Sequence, residues 1–336
     1  MPDVVVVGGG PAGCSFAITA ARRGRDVVLL DDARRLRSWP GETLPAGGAE
    51  LVASVFGAGA LDETVHSPAY GTAAAWGGDE LVAHDYMSHW SGGGWHLDRE
   101  AFDADLRRAV SGAGVEVVLD RYPSDVTRGA TWVVDATGRA GAVVGRLGIS
   151  RVRVDAQVAL VAVVSDAGGE RVTTVESVPQ GWWYTSPLPG GRRVAALVTD
   201  VDLVGTVREE TWRSALDATA HIRKLVASRE AQVSAYPADT GYRDRLMGEG
   251  WVAVGDAAVS FDPLSSQGLL TGIVMAARAA AMLEGDLQAW SADYRAVLAE
   301  HENIRREFFA SETRWPDAPF WQRRRADSAV DPSFAR

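Results

Sequence analysis

The sequence predicts an α/β protein in which a dinucleotide-binding lobe is interrupted by an antiparallel-sheet domain and then completed. Three observations carry that expectation. A run of valines, Val4 to Val7, leads through a glycine-rich turn into a helix-like segment. Strand-like segments, without parallel-type helices between them apart from about Val207 to Ser228, fill much of residues 151–245. The stretch Trp251 to Ala258 then returns to short buried-strand character, and Leu269 to Leu283 reads as a helix.

The valine run is continuous and β-branched, as a parallel strand covered on both faces requires. Ser15 to Arg23 is alanine-rich and helical, and Gly24 ends it. Val27 to Leu30 is the next strand, which completes a βαβ unit. Residues 33–97 are expected to be a loop-rich insertion, with many Gly and several Trp. Asp98 to Val110 looks helical, and Val115–Leu119 and Thr131–Gly138 look like strands returning to the first sheet. Gln157–Val164, Arg171–Val178, Arg192–Asp200 and Gln232–Asp239 read as an antiparallel sheet. The expected division is therefore a lobe at 1–150, a sheet domain at 151–245, the rest of the lobe at 246–285 and a helical segment at 286–336.

With 336 residues, 46% of them hydrophobic, the chain can bury a large core in two lobes. Thirty-four basic against 44 acidic residues give a net charge of −10, which argues against nucleic acid as a partner. Cys14 is the single cysteine, so no intrachain disulfide forms, in keeping with a cytoplasmic location. No basic region precedes the short N-terminal apolar run, and no apolar stretch is long enough for a bilayer; neither secretion nor a membrane is expected.

Gly8-Gly9-Gly10-Pro11-Ala12-Gly13 fits G-x-G-x-x-G in its required context, after a strand and at the start of a helix. Gly8 permits the tight turn, Gly10 lets a pyrophosphate approach the backbone, and Gly13 lets helix and strand pack closely. The helix N-terminus, with Pro11 and Ala12, then faces the phosphates. Asp31, at the end of the second strand, can accept a hydrogen bond from an adenosine ribose, and Asp32 beside it is a further candidate. This lobe is Rossmann-like. Cys14 reads as a small residue packed beneath the ligand.

FAD and NAD share that motif, and the later segments distinguish them. Asp135 and Gly138 in "TWVVDATGR", and Gly255-Asp256 in "WVAVGDAA", place a carboxylate and a glycine at a strand end, where ribityl or pyrophosphate-side groups would lie. Pro263 stiffens the following loop, and Ser265 or Ser266 is expected to cap the next helix. The N–H groups of Gly268 and Leu269 would then face the N1/O2 edge of a flavin, which is negative when reduced.

The Gly8–Gly13 turn, Arg99 in "DREAFDADL", "DATG" and "GDAAVSFDP" together resemble the FAD-dependent aromatic hydroxylase and halogenase superfamily over nearly the whole chain. "GWWYTSPLPGGR", "DPLSSQG" and "ETRWPDAPFWQRR" are similar to segments of the flavoprotein monooxygenases that mature tryptophylquinone enzymes. The resemblance implies an aromatic hydroxylase-like fold and a monooxygenase acting through a flavin C4a-hydroperoxide on an indole- or phenol-type substrate, free or protein-borne. It implies O₂ as oxidant and NAD(P)H or a separate flavin reductase as electron donor, since no second dinucleotide fingerprint is visible. It also implies that Arg99 contacts the FAD. Trp182, Trp183 and Tyr184 are expected to wall the substrate, at a strand end that Pro187 and Pro189 terminate. Ser265, Ser266 and Gln267 are expected opposite them.

Three departures argue against halogenation. No lysine precedes Lys224, the halogenase W-x-W-x-I-P signature is replaced by Trp182-Trp183-Tyr184-Thr185-Ser186-Pro187, and Ser265 stands where halogenases carry a glutamate. The rival readings are an FAD-dependent reductase, which shares the style of Glu42-Thr43-Leu44-Pro45, and a flavin-binding partner without turnover. No residue is singled out as the catalytic group. His66, His84, His89 and His96 lie near the expected cleft, without a metal-ligand spacing. The aromatic and Arg-rich C-terminal segment is expected to cover the FAD lobe, with docking of a protein substrate as the alternative.

Overall fold

A computed structural model of the chain describes residues 1–32, 41–57, 59, 61–62, 64–86, 93–119, 129–168 and 171–326. The nucleotide-binding lobe is built on a six-stranded sheet. Val4–Val7 lies between Val27–Asp31 and Trp132–Asp135, all parallel. Glu116–Leu119 extends one side, and Trp251–Ala253 the other, where the antiparallel Met247–Gly248 ends the sheet. Val4, Val6 and Val7 are wholly buried, as the unbroken valine run requires.

Two helices leave the glycine turns of this sheet, Pro11–Arg22 and Gly268–Ala281. They pack side by side, and the Ser15 hydroxyl donates to the Ile273 carbonyl at 2.7 Å. The chain thus returns, some 250 residues on, to finish the lobe it began, as the sequence led one to expect.

The second layer is a seven-stranded sheet in the order Ser234–Pro237, Gln157–Ser165, Arg192–Asp200, Gly181–Leu188, Val172–Val178, Gly71–Ala75, Val82–Asp85. Its pairings are antiparallel, except that Val172–Val178 runs parallel to Gly71–Ala75. The insertion at 33–97 is therefore more ordered than a loop. It supplies those two strands, the helix Gly48–Phe56 and a small sheet of Glu42–Leu44, Gly94–Leu97 and Ser67–Ala69. These strands are three to five residues long and pair with distant partners, so no local periodicity announces them.

The strand Gly181–Leu188 corrects a second expectation. It is not a strand end at a cleft but lies inside the sheet, paired on both sides. Pro187 is tolerated because pairing with Val172–Val178 stops at Thr185, while Pro187 remains in register with Arg193 on the other side.

The C-terminal segment divides its packing. The early part of the helix Leu287–Ser311 puts Trp290, Tyr294 and Leu298 into the core of the nucleotide-binding lobe. Beyond it, Phe309 and, from the helix Pro319–Ala326, Phe320 and Trp321 pack with Trp182 on the seven-stranded sheet. The Trp321 indole N–H donates to the Val178 carbonyl at 2.8 Å, and Arg324 pairs with Asp200 at 2.8 Å. The segment "ETRWPDAPFWQRR" therefore covers the sheet, not the FAD lobe. Among the described residues no helix is long and apolar enough to cross a membrane.

Glu312 holds this arrangement together. Its wholly buried carboxylate accepts from the Gly77 N–H at 2.8 Å, from Arg314 at 2.8 Å and from the Ser177 hydroxyl. Burial alone would raise its pKa, but the hydrogen bonds from Arg314, Ser177 and Gly77 outweigh it and hold the carboxyl at about 2. A depressed carboxyl contributes stability above its unfolded value and loses it as pH falls toward the folded one. Between about pH 4.5 and pH 2 the melting temperature should therefore fall more steeply in wild type than in Glu312→Gln. Thermal denaturation across that range by circular dichroism measures the difference.

Candidate functional site

A cavity of about 570 Å³ lies where the nucleotide-binding lobe meets the seven-stranded sheet. Both glycine turns open into it. The helix Pro11–Arg22 has Gly10 as its N-cap and no side-chain cap, and Gly268–Ala281 begins after Gln267 with none either. Gly10, Pro11 and Ala12 from the first and Gly268 and Leu269 from the second line the same space. Two uncapped helix N-termini thus face one cavity, and each favours negative charge.

The glycines are of different kinds. A Cβ on Gly10 would meet nothing within 4 Å, so a side chain there would occupy only the cavity. A Cβ on Gly13 would stand 1.9 Å from the Gly8 carbonyl oxygen, and one on Gly8, at φ +110°, would stand 2.3 Å from that of Ala136. Gly255, at φ +58°, would collide with Ala12. Gly8, Gly13 and Gly255 therefore bring strand ends and helices together, while Gly10 leaves room for a ligand.

Charges around the cavity are paired. Arg99 meets Glu42 and, at 3.1 Å, Asp103. Arg139 meets Asp256 at 3.3 Å, and Arg107 meets Asp31 at 3.6 Å. Asp262 accepts from Gln157 at 2.6 Å and lies 3.4 Å from Arg305. Burial raises the Glu42 carboxyl above its ordinary value against the opposing pull of Arg99. Cys14 is buried against the Gly9 carbonyl at 3.3 Å, and burial pushes its thiol up. It packs under the turn.

Most of the sequence-predicted residues meet here. Gly8, Gly10, Pro11, Ala12, Asp31, Arg99, Gly138, Gly255, Asp256, Pro263, Gly268 and Leu269 line the cavity, as do Trp182, Tyr184 and Ser266. Others stand elsewhere. Gly13 is behind the turn, and Asp32 is buried off the cavity wall. The Asp135 carboxylate accepts from the Thr137 N–H and hydroxyl and from the N–H groups of Val143 and Val144, at 2.7 to 2.9 Å. It caps the helix Ala142–Arg146 and has no reach to a ligand. Strand alternation turns Trp183 to the other face of the sheet, where its ring meets Trp212 edge-on at 5.2 Å. Neither serine caps the helix Gly268–Ala281: Ser266 is in the left-handed region at φ 52°, and the Ser265 hydroxyl donates to the Asp262 carbonyl. Ser265 and Gln267 face a smaller cavity of about 340 Å³ on the outer side of the loop.

Of the histidines, His66 is buried and its Nδ1 accepts from the Asp98 N–H at 3.2 Å, His84 is exposed, and His89 lies outside the described residues. His96 is buried behind the wall. Sequence reasoning missed the wall residues Thr43, Thr173, Val175 and Tyr236, because only the register of the sheet reveals which strand positions face the lobe.

The donor set fits FAD. Asp31 would accept from the adenosine ribose, the N-terminus at Gly10–Ala12 would take the pyrophosphate, and that at Gly268–Leu269 the ring edge. Asp31→Ala should weaken FAD binding by about 1.5–3 kcal/mol, the range for a hydrogen bond to a charged group. Equilibrium titration of the apoprotein with FAD, followed by flavin fluorescence, gives the number.

Fold and cavity define a flavoprotein oxidoreductase, and comparison with known proteins agrees. Residues 3–160 match the family model described as FAD dependent oxidoreductase. Residues 84–336 match the model described as tryptophan halogenase, and the chain belongs to that family. It is 28% identical to the protein named as FAD-dependent oxidoreductase LodB of Marinomonas mediterranea, over 98% of each chain. It is also 28% identical to a tryptophan 2-halogenase of Chondromyces crocatus, over 84% of this chain and 60% of that one. Among solved structures it resembles the peptidyl tryptophan dihydroxylase QhpG, essential for tryptophylquinone cofactor biogenesis. The TM-score is 0.81 at 25% identity, over 96% of this chain and 78% of that one. The protein is an FAD-dependent enzyme.

Proposed function

We propose that the protein is an FAD-dependent monooxygenase that hydroxylates an indole ring presented in a neutral, amide-linked form, with a protein-borne tryptophan as its substrate. The observation that carries this reading is the sheet wall of the cavity. Tyr184, Val175 and Tyr236 offer aromatic and apolar surface there, with Trp182 buried behind them, and among the described lining residues both cations, Arg99 and Arg139, are already paired with carboxylates. With both helix N-termini given to FAD, a free amino acid would bring a carboxylate with no unpaired cation among the described lining residues to receive it, and burying an unpaired charge is costly. An amide-linked tryptophan brings only the ring. The likeness to a protein that dihydroxylates peptidyl tryptophan supports the same substrate class.

When bound and reduced, FAD supplies the oxygen-activating chemistry with O₂. The chain's own residues bind, orient and shield. Tyr184 would stack on the ring, and bound FAD together with the substrate would fill the junction of lobe and sheet and exclude water. Electrons would come from NAD(P)H bound transiently or from a separate flavin reductase. The absent lysine, the altered tryptophan motif and Ser265 support hydroxylation over halogenation.

Truncating the wall tests this reading. With reduced FAD, O₂ and N-acetyltryptophanamide, Tyr184→Ala should raise the ratio of hydrogen peroxide to oxygenated product, because stacking worth of order 1 kcal/mol is lost. L-Tryptophan should couple poorly even in wild type. Equal coupling of the two compounds would refute the neutral-substrate reading.

A further inference from the structure

Behind the sheet wall runs a chain of three side chains. The His96 Nδ1 lies 2.9 Å from the Thr43 hydroxyl, which lies 3.1 Å from the Thr173 hydroxyl. Backbone register fixes the geometry: Thr43 stands directly opposite His96 in the small sheet, and Thr173 opposite Thr72 in the large one. Both threonines line the cavity, whereas His96 is wholly buried behind them. The chain therefore connects the substrate wall with an imidazole that no ligand can touch.

Its polarity is set by the tautomer of the imidazole: a lone pair on Nδ1 makes Thr43 a donor to it, whereas an N–H there would reverse the series. Burial lowers the His96 pKa to about 4; the Arg171 carbonyl opposes this, and the Arg193 and Arg171 guanidiniums add to it. The ring is neutral at neutral pH, so one nitrogen carries a lone pair. A hydroxyl has one proton to give, and each in such a series gives it to the next acceptor. In the tautomer with the lone pair on Nδ1, Thr43 donates to His96 and Thr173 donates to Thr43, so the oxygen that faces the cavity is an acceptor. Thr173 is 6% exposed, so this acceptor is largely shielded from water, where a hydrogen bond is strong.

We propose that Thr173 accepts the indole N–H of the substrate, with Thr43 passing the hydrogen bond to the His96 Nδ1. His96 is then a positioning residue that acts through the two threonines. No proton leaves the indole; the bond orients the ring and draws electron density toward the carbons to be oxygenated. This rests on the indole substrate proposed above. It also assigns a place in recognition to "GETLP", in which Thr43 stands beside Glu42.

The test uses the FAD-loaded protein and two neutral probes, N-acetyltryptophanamide and its 1-methylindole counterpart, whose ring N–H is gone. Binding is measured by isothermal titration calorimetry. Wild type should prefer the N–H probe by about tenfold, the size of one hydrogen bond. Thr173→Val, close in shape, should bring the preference near unity while FAD affinity stays as in wild type. His96→Leu should reduce it, and His96→Asn, which can place an amide oxygen near the Nδ1 position, should restore much of it. Thr43→Val guards against misfolding of the histidine variants and should behave like Thr173→Val. A preference that survives in Thr173→Val, or no preference in wild type, overturns the assignment. Oxygenation of the N-methyl probe as readily as of its parent would remove this assignment while leaving the monooxygenase reading in place.

Discussion

Gly13→Ala should abolish FAD retention and destabilise the fold by at least about 4 kcal/mol, at the extreme of single substitutions. The added Cβ would stand 1.9 Å from the Gly8 carbonyl oxygen and 3.1 Å from the Ala136 Cβ. The first neighbour is backbone at the end of a fully buried strand and cannot rotate away. Alanine's better helix propensity returns only about 1 kcal/mol, so the clash decides the sign. Gly10→Ala separates packing from binding. Its Cβ meets nothing within 4 Å, so stability should stay near wild type while FAD affinity falls. Chemical denaturation of both apoproteins, beside FAD retention on a desalting column, distinguishes the two effects. Equal losses of stability in the two variants would contradict the division of labour within the turn.

Arg305→Met should cost about 3–5 kcal/mol, because it leaves buried carboxylates without their counter-charge. Arg305 is 7% exposed and reaches Asp155 at 3.1 Å, Glu302 at 3.0 Å and Asp262 at 3.4 Å. One side chain of the long C-terminal helix thereby ties the sheet domain, through Asp155, to the loop lining the cavity, through Asp262. Asp262 also accepts the Leu264 N–H at 2.9 Å, which shapes the turn before the helix at Gly268. FAD affinity should therefore fall along with stability. Arg305→Lys should recover only part, since an ammonium cannot span three carboxylates as a planar guanidinium does. Adding Asp262→Asn to Arg305→Met should cost less than the sum of the two single changes. A double-mutant cycle by urea denaturation reads that coupling, and strict additivity would show that the pair does not interact.

How much of this was legible in the sequence depended on how local each signal is. The turn Gly8–Gly13, Asp31 at the end of its strand and Gly255-Asp256 carry their meaning within a few residues, and they meet at one cavity. "TWVVDATGR" carries the same local signature as Gly255-Asp256, yet the Asp135 carboxylate is consumed by the helix that follows it. Nothing in the residues up to Arg139 announces that helix. Trp182, Trp183 and Tyr184 declared an aromatic strand, and alternation separated Trp183 from the other two. Placing the strand in mid-sheet needed Val172–Val178 and Arg192–Asp200 on either side. Ser265 and Gln267 belong to the right loop but face outward, because a single left-handed residue, Ser266, decides which side chains turn toward the cavity. The Thr43–His96 contact joins residues 53 apart through strands of three and four residues, too short to be read before the sheet is seen.

Oxygen-isotope incorporation in the presence of a halide decides among oxygenation, halogenation and reduction in one reaction. The FAD-loaded protein is given chemically reduced FAD, ¹⁸O₂, bromide and N-acetyltryptophanamide, and the products are analysed by mass spectrometry. An indole product carrying ¹⁸O and no bromine is the expected result. A brominated indole, an oxygenated product without the label, or turnover that continues when O₂ is removed would contradict the assignment of this enzyme as a monooxygenase.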